Sequence, residues 1–384
     1  MKTLKYIDIN STGLFHSGFN ASSLLMMSEI YDKVDYYADE SSALSTKKLL
    51  KGNFPNNITY IPIKVIKKNN KFGNIFHHLN QIYNSLKIII KSNKSQIIYF
   101  NYAPVLAIPF INLICKITKK KVIITFHNEL STLQENSTFR YNRITTKILK
   151  NLKEGQKKWA ENLYYCVLGE HIKKNTQKTL FSEQLQDKIL SFEHSWIFTK
   201  KNKIKKTEKD KKIGIIGSVR EERWLDDIFS FRKKIQSDID ITLIGRIFCN
   251  KDILIQNGLK FIPGADEHFV SKELMSNTIQ EMDFIVFLYP TNSYKFVCSG
   301  ALFDAIEEEK YIIALHNDCF DSLLKNADGN CKLFNTLEEM INYVNTIKIE
   351  ELELKDFSII KNTLSPENQA IEFKKELEKI KFIL

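Results

Sequence analysis

The chain has no cysteine pair at C-x-x-C spacing. Its six cysteines (Cys115, Cys166, Cys249, Cys298, Cys319 and Cys331) are scattered along 384 residues. That excludes a zinc ribbon and a disulfide frame and points to reduced thiols in a cytosolic protein. Long apolar runs are missing too. The best one, Val105 to Cys115, has 11 residues and contains Pro109, whereas a bilayer needs roughly 20. The opening MKTLKYIDIN lacks the apolar core of a signal peptide. No G-x-G-x-x-G follows the first strand, so the dinucleotide fingerprint is absent. No Asp-x-Asp stands at a strand end, and Asp226 and Asp227 fall within a helical pattern; no metal requirement is expected. There is no recognised nucleic-acid motif and no aromatic-basic stripe.

What is present is a soluble-protein composition, 43% hydrophobic and 26% charged, in a chain too long for one ordinary core. Strand and helix patterns alternate throughout. The first half reads as strands at Leu4–Ile9, Val34–Ala38, Ile58–Val65, Gln96–Tyr102, Lys121–Phe126, Leu163–Leu168 and Lys188–Phe192. Helices are expected at Asn20–Tyr31, Ile75–Lys91, Pro104–Thr118 and Ser137–Glu161, with a Lys-rich one after Leu168. Thr199 to Lys212 holds eight Lys, one Glu and one Asp and reads as a linker. The pattern then restarts, with strands at Ile213–Ile216, Ile239–Ile244, Leu259–Ile262, Phe284–Tyr289, Tyr311–Leu315 and Asn330–Phe334. Helices follow at Leu225–Ile235, Ser271–Met282, Gly300–Glu309 and Leu337–Ile347, and two more close the chain. The expectation is an α/β protein of two doubly wound Rossmann-like domains facing each other across a cleft. Residues 1–198 form the first, 199–212 the linker and 213–365 the second. The last helix, 366–384, either crosses back to the first domain or stays on its own.

Function is sought where strands end, because doubly wound sheets bind ligands there. The stretch YKFVCSGALFDAIEEEKYIIAL, Tyr294 to Leu315, reads as loop, helix and strand. Ser299 and Gly300 open its helix, whose first amides are unpaired and suit an anion. Ser-Gly ahead of a helix is also common capping chemistry. Asp304 lies one turn further in. Arg220 and Arg223 follow one strand and Arg246 the next; arginines beside a helix N-terminus suit a diphosphate. Glu221 and Glu222 offer the first two a surface pairing instead. In the first half, Gly13, His16 and Gly18 lie in the loop after the first strand. His127 with Glu129, and Glu170 with His171, follow later strands. A strand-end His serves as acid, base or donor, or is simply structural. His77 and His78 are adjacent, cannot share a helix face, and read as structural or solvated.

The formal net charge of +11 favours polyanionic partners: nucleic acid, an anionic membrane surface or phosphorylated small molecules. Lysine clusters stand at Lys116–Lys121, Lys147–Lys158 and Lys200–Lys212. The second is a basic helix face, either solvated or set against a membrane.

Four segments resemble the GT-B glycosyltransferases of the family-4 type, which work on bacterial polysaccharides and glycans. TFHNEL, Thr125 to Leu130, is similar to the strand that ends in a His facing the transferred sugar, which would be His127. GSVREER, Gly217 to Arg223, is similar to the loop opening the donor domain; Ser218 stands where the family has an Arg, and Arg223 where it has a Lys. KFIPGA, Lys260 to Ala265, resembles the strand and glycine turn near the nucleotide base, with Gly264 in the turn. SGALFDAIEEEKYIIAL resembles the E-x7-E stretch. Asp304 takes the place of the second, ribose-binding Glu, and Phe296 that of the first. The resemblance implies a retaining, metal-independent transferase without cofactor, acting in the cytoplasm or peripherally on the inner membrane face. Its donor would be a UDP- or GDP-sugar and its acceptor a glycan or a lipid-linked saccharide. A nucleotide-sugar epimerase, a nucleic-acid binder and a degenerate GT-B scaffold are the alternatives.

Overall fold

The computed structural model describes residues 2–66, 71–134, 143–154, 159–199, 211–220, 224–265, 270–327, 329–352 and 354–383. The chain divides into two compact units. One comprises Met1–Ile197, Phe296–Cys298 and Thr363–Leu384; the other comprises Phe198–Lys295 and Ser299–Asn362.

The first unit is built on seven strands: β1 (Thr3–Ile7), β2 (Lys33–Ala38), β3 (Ile58–Pro62), β4 (Ile97–Phe100), β5 (Lys121–Phe126), β6 (Leu163–Val167) and β7 (Ile189–Ser191). They pair in parallel in the order β3-β2-β1-β4-β5-β6-β7. Alternate residues of each strand serve opposite faces. Ile7, Ile98, Phe100, Val122, Ile124 and Phe126 join a core with the helices Lys71–Lys91 and Ile108–Thr118. Leu4, Tyr6, Ile97, Tyr99 and Ile123 join another with the helices Ser17–Ile30 and Pro366–Lys379. Cover on both faces is why these strands read as unbroken apolar runs. The last helix belongs to this unit: Phe373 meets the rings of Tyr99 and Phe192, and Glu376 pairs with Lys173.

The second unit has β8 (Lys212–Ile216), β9 (Asp240–Ile244), β10 (Lys260–Phe261), β11 (Phe284–Phe287), β12 (Tyr311–Leu315) and β13 (Cys331–Phe334), all parallel, in the order β10-β9-β8-β11-β12-β13. Both units are doubly wound sheets, in agreement with the α/β expectation.

Several local readings are corrected. The first helix begins at Ser17, not Asn20, so Gly18 is helical; a Cβ there would meet the Trp196 ring at 3.4 Å. The stretch from Pro104 opens as a 3-10 turn, Val105–Ala107, before the α-helix. The helix expected over Ser137–Glu161 spans Arg143–Glu154, with 135–142 and 155–158 outside the described residues. Most of the linker, 200–210, and Glu221, Glu222 and Arg223 also lie outside them. Four short helices add to the sequence reading: Glu40–Leu49, Glu183–Gln186, Lys251–Gln256 and Asp318–Leu323.

Candidate functional site

In each sheet the strand order reverses at one place, and such switch points open a crevice at the carboxyl ends of the strands. In the second unit it lies between β8 and β11. The loop after β8 starts at Gly217 (φ 141°), where a Cβ would stand 3.1 Å from Tyr289 Oη. The loop after β9 starts at Gly245 (φ 146°), where a Cβ would stand 2.3 Å from the Gly217 carbonyl oxygen. The two loops then pair beyond the sheet. Val219 N donates to Arg246 O (2.9 Å), and Phe248 N donates to Val219 O (2.9 Å). Ile247 N donates to Ala265 O (2.8 Å), which ties in the loop after β10, where Gly264 sits at φ 70°. Gly245→Ala is therefore expected to destabilise the second unit by about 3 kcal/mol, read as a lowered urea midpoint.

This knitting brings two predicted cations together. The Arg220 guanidinium lies 3.9 Å and that of Arg246 4.3 Å from the Phe248 ring centroid. Phe248 is 40% exposed, so the ring is a surface platform rather than core. Neither arginine has a carboxylate partner among the described residues. Two like charges on one ring repel each other, and an anion bound to both removes that repulsion.

Helix ends add to the same edge. Four helices of this unit are capped by a side chain, from Asn250, Ser271, Asn317 and Thr336. The helices Leu225–Lys234 and Gly300–Glu307 start at Trp224 and Ser299 without a side-chain cap bond. These are the helices that leave β8 and β11 at the switch point, so their N-terminal partial charge remains available. Ser299 is buried while Gly300 is exposed, with nothing within 4 Å of where its Cβ would be. Tyr289 links the loops: its hydroxyl donates to Ile216 O at 3.3 Å. Burial pushes its phenol up to about 12; the neighbouring Tyr294 and Ser299 hydroxyls oppose that rise, and nearby Asp304 adds to it. Tyr289 stacks on Tyr294 (4.5 Å) and lies 4.4 Å from Trp224. Trp224 and Tyr294 both take the left-handed conformation (φ 60° and 57°), which non-glycine residues adopt at a cost. Arg223 lies outside the described residues. Phe296 is buried in a core cluster of the first unit.

In the first unit the order reverses between β1 and β4, and a polar network fills that point. Buried Asp8, just past β1, accepts from Asn20 Nδ2 (2.8 Å), Ser42 Oγ (2.9 Å) and Ser11 N (3.2 Å). Asn101, just past β4, donates from Nδ2 to Asn20 Oδ1 (2.7 Å), and its carbonyl lies 2.8 Å from His127 Nε2. A carbonyl only accepts, so Nε2 of His127 carries the proton and Nδ1 is the acceptor. His127 stacks on Tyr102 (4.6 Å) and lies 5.0 Å from His16 and 4.6 Å from Phe19, which in turn touches His194.

Burial sets the ionisation here. It lowers His127 well below its usual range, helped by His16, with the Asn101 bond opposing. It lowers His16 and His194 to about 4. All three imidazoles are neutral at pH 7. Burial raises Glu129 to about 7, although its Oε2 accepts from His127 N (2.7 Å) and Asn128 N (3.1 Å). Gly13 (φ 59°) is tied to Ser41 Oγ through its amide. Glu170 accepts from Ser191 Oγ, and its amide donates to Glu193; His171 packs under Gly169. The sequence reading passed over Asp8, Asn101, Tyr102, His194, Tyr289 and Phe248. Asp8 and Asn101 directly follow apolar strands, and His194 stands three residues past β7, the signal that picked out His127.

Among the described residues, no cluster of three or more His, Cys, Asp or Glu is placed to hold a metal ion, and no helix is long and apolar enough to cross a membrane. No family model matches the chain, and no curated protein matches its sequence. Solved structures do match its fold. The lipopolysaccharide outer core galactosyltransferase WaaB superposes with a TM-score of 0.57 at 13% identity, covering 100% of this chain and 99% of that one. Anabaena Alr3699/HepE, in complex with UDP-glucose, gives 0.60 at 11% identity over 100% of both. S. aureus TarM, in complex with UDP among other ligands, gives 0.58 at 10% identity, covering 99% and 97%. The chain has the α/β fold of the GT-B glycosyltransferases, with two doubly wound sheets.

Proposed function

We propose that this protein is a glycosyltransferase that moves a sugar from a nucleoside diphosphate donor to a glycan or lipid-linked acceptor, with retention and without a metal. The observation that carries it is the set of cations at the switch point of the second unit. Arg220 and Arg246 share one exposed ring, beside two helix N-termini that have no side-chain cap. Such a set stabilises the negative charge that grows on a departing diphosphate. Asp304, one turn inside the helix, is assigned to the ribose hydroxyls, and the Gly264 turn to the base. Arg223 is assigned to the diphosphate from its motif alone. UDP in the similar HepE and TarM structures supports a UDP-sugar over a GDP-sugar. His127 is assigned a hydrogen bond to the transferred sugar, with Glu129 fixing the backbone around it and His16, Gly13 and Gly18 shaping the same strand-end region. The enzyme would work in the cytoplasm. For a lipid-linked acceptor, its basic helix Arg143–Glu154 would face the anionic inner membrane surface.

The test is a transfer assay with UDP- and GDP-sugars and glycan or lipid-linked acceptors. His127→Ala is expected to lower kcat about 100-fold with little change in donor KM. Equal kcat in the variant would remove His127 from the chemistry. One second reading has its own observation. Phe296, packed in a core where the resembling family has an acidic residue, favours a GT-B chain retained for assembly. Tight nucleotide binding with no turnover on any acceptor would identify it.

A further inference from the structure

We propose that the first unit docks on an anionic lipid bilayer through the outward faces of two neighbouring helices, Lys71–Lys91 and Ile108–Thr118. On the longer helix, Ile75, Phe76, Leu79, Tyr83 and Ile90 are each more than half exposed. At 3.6 residues per turn they fall within an arc of about 100°. The shorter helix exposes Phe110, Leu113 and Ile117, which share an arc of about 60°. The inward faces of both helices, through Ile88, Ile89, Ile108, Ile111 and Cys115, enter one core cluster, so the outward faces form one layer. Eight large apolar side chains in one layer exceed the scatter of a solvated surface.

Charge identifies the occupant. Residues 41–128 contain 14 Lys, no Arg, and not one Asp or Glu. The segment carries +14 against +11 for the whole chain, so the remaining residues are net −3. Lys87, Lys91, Lys94 and Lys119 are exposed around the apolar layer, and the Lys87 ammonium stands 5.4 Å over the Tyr83 ring. An apolar face rimmed by lysines, on a segment that itself carries no acidic residue, is the pattern of a helix lying in a membrane interface, side chains in the acyl boundary and ammonium groups at the phosphates. A second copy of the chain would set like charge against like across a two-fold axis. Nucleic acid would leave the Ile and Leu side chains in water. The proposal extends the membrane contact suggested above from a basic helix to an apolar face, and it holds or fails without reference to transfer chemistry.

Flotation of the full chain with vesicles tests it. Vesicles containing phosphatidylglycerol should bind the protein, and vesicles of phosphatidylcholine alone much less. Phe76→Ser, Leu79→Ser and Leu113→Ser together should weaken binding about 100-fold at all salt concentrations. Changing Lys87, Lys91 and Lys119 to Gln should weaken it about five-fold per residue at low salt, a difference that disappears as salt rises. All six positions are exposed, so thermal unfolding should match the parent, and nucleotide binding serves as an independent check of the other unit. Failure to bind anionic vesicles at low salt would overturn the proposal. So would a serine variant that binds like its parent, or one whose only change is the loss of a dimer in gel filtration.

Discussion

Arg220→Ala and Arg246→Ala together should weaken nucleoside diphosphate binding about 1000-fold, and either change alone about 30-fold. Both guanidiniums lie within 4.3 Å of one exposed phenyl ring, and the backbones that carry them are paired through Val219 and Phe248. Each cation is thus held before a ligand arrives, so little ordering cost is left for binding. A charge-assisted bond to phosphate contributes about 1.5–3 kcal/mol, and two of them give the stated loss. Titration calorimetry reads it directly. Neither side chain is core, so the unfolding midpoint should stay where it is. Affinity unchanged in the double variant would make both arginines ordinary surface residues and move the anion site elsewhere.

Acid should destabilise the first unit steeply, by about 4 kcal/mol between pH 6.5 and 4.5. His16, His127 and His194 are held neutral by burial, with folded pKa values depressed below the usual 6.5. In that window the unfolded chain takes up three protons on them and the folded chain does not, so stability falls as pH falls. Glu129 acts in the opposite sense. Its folded pKa of about 7 lies above the usual 4.5, so the folded state keeps a proton that the unfolded state releases. Asp8, also raised by burial, opposes in the same sense near the acid end. Three histidines against one carboxyl leave a net of about two protons, and the histidines win. Above pH 6.5 stability should go on rising, ever more slowly, and level off near about pH 8, because the unfolded histidines still bind slightly more protons than the folded Glu129 does. Replacing His16 and His194 with Gln should remove most of the slope. A urea midpoint that is flat or rises on acidification would show that the three imidazoles are solvated.

The strands were legible for a physical reason. Parallel strands covered on both faces are continuous apolar runs, so β5 and β12 occupy the same residues in the structure as in the pattern. The alternation of such runs with helices gave the α/β class. The helix Glu40–Leu49 escaped because its inward face is polar: Ser42 and Thr46 are buried beside Ala43, so no apolar period marks it. Gly18 reads as loop in the sequence, yet it lies in the first turn of a helix against the Trp196 ring, a neighbour 178 positions away in the chain. The candidate site was legible only as strand ends. That Arg220 and Arg246 share Phe248 depends on loop pairing beyond the sheet. That Asp8 reaches His127 through Asn20 and Asn101 depends on the β1–β4 pairing. Sequence spacing carries neither fact.

The proposed transferase activity requires a nucleoside diphosphate site on the second unit. The most direct test is calorimetry of the unmodified chain with UDP, GDP, ADP and CMP and their common sugar conjugates, with and without magnesium. Saturable binding of one nucleoside diphosphate is expected, UDP before GDP, with similar affinity in both conditions. No binding by any of them to the folded protein would contradict it.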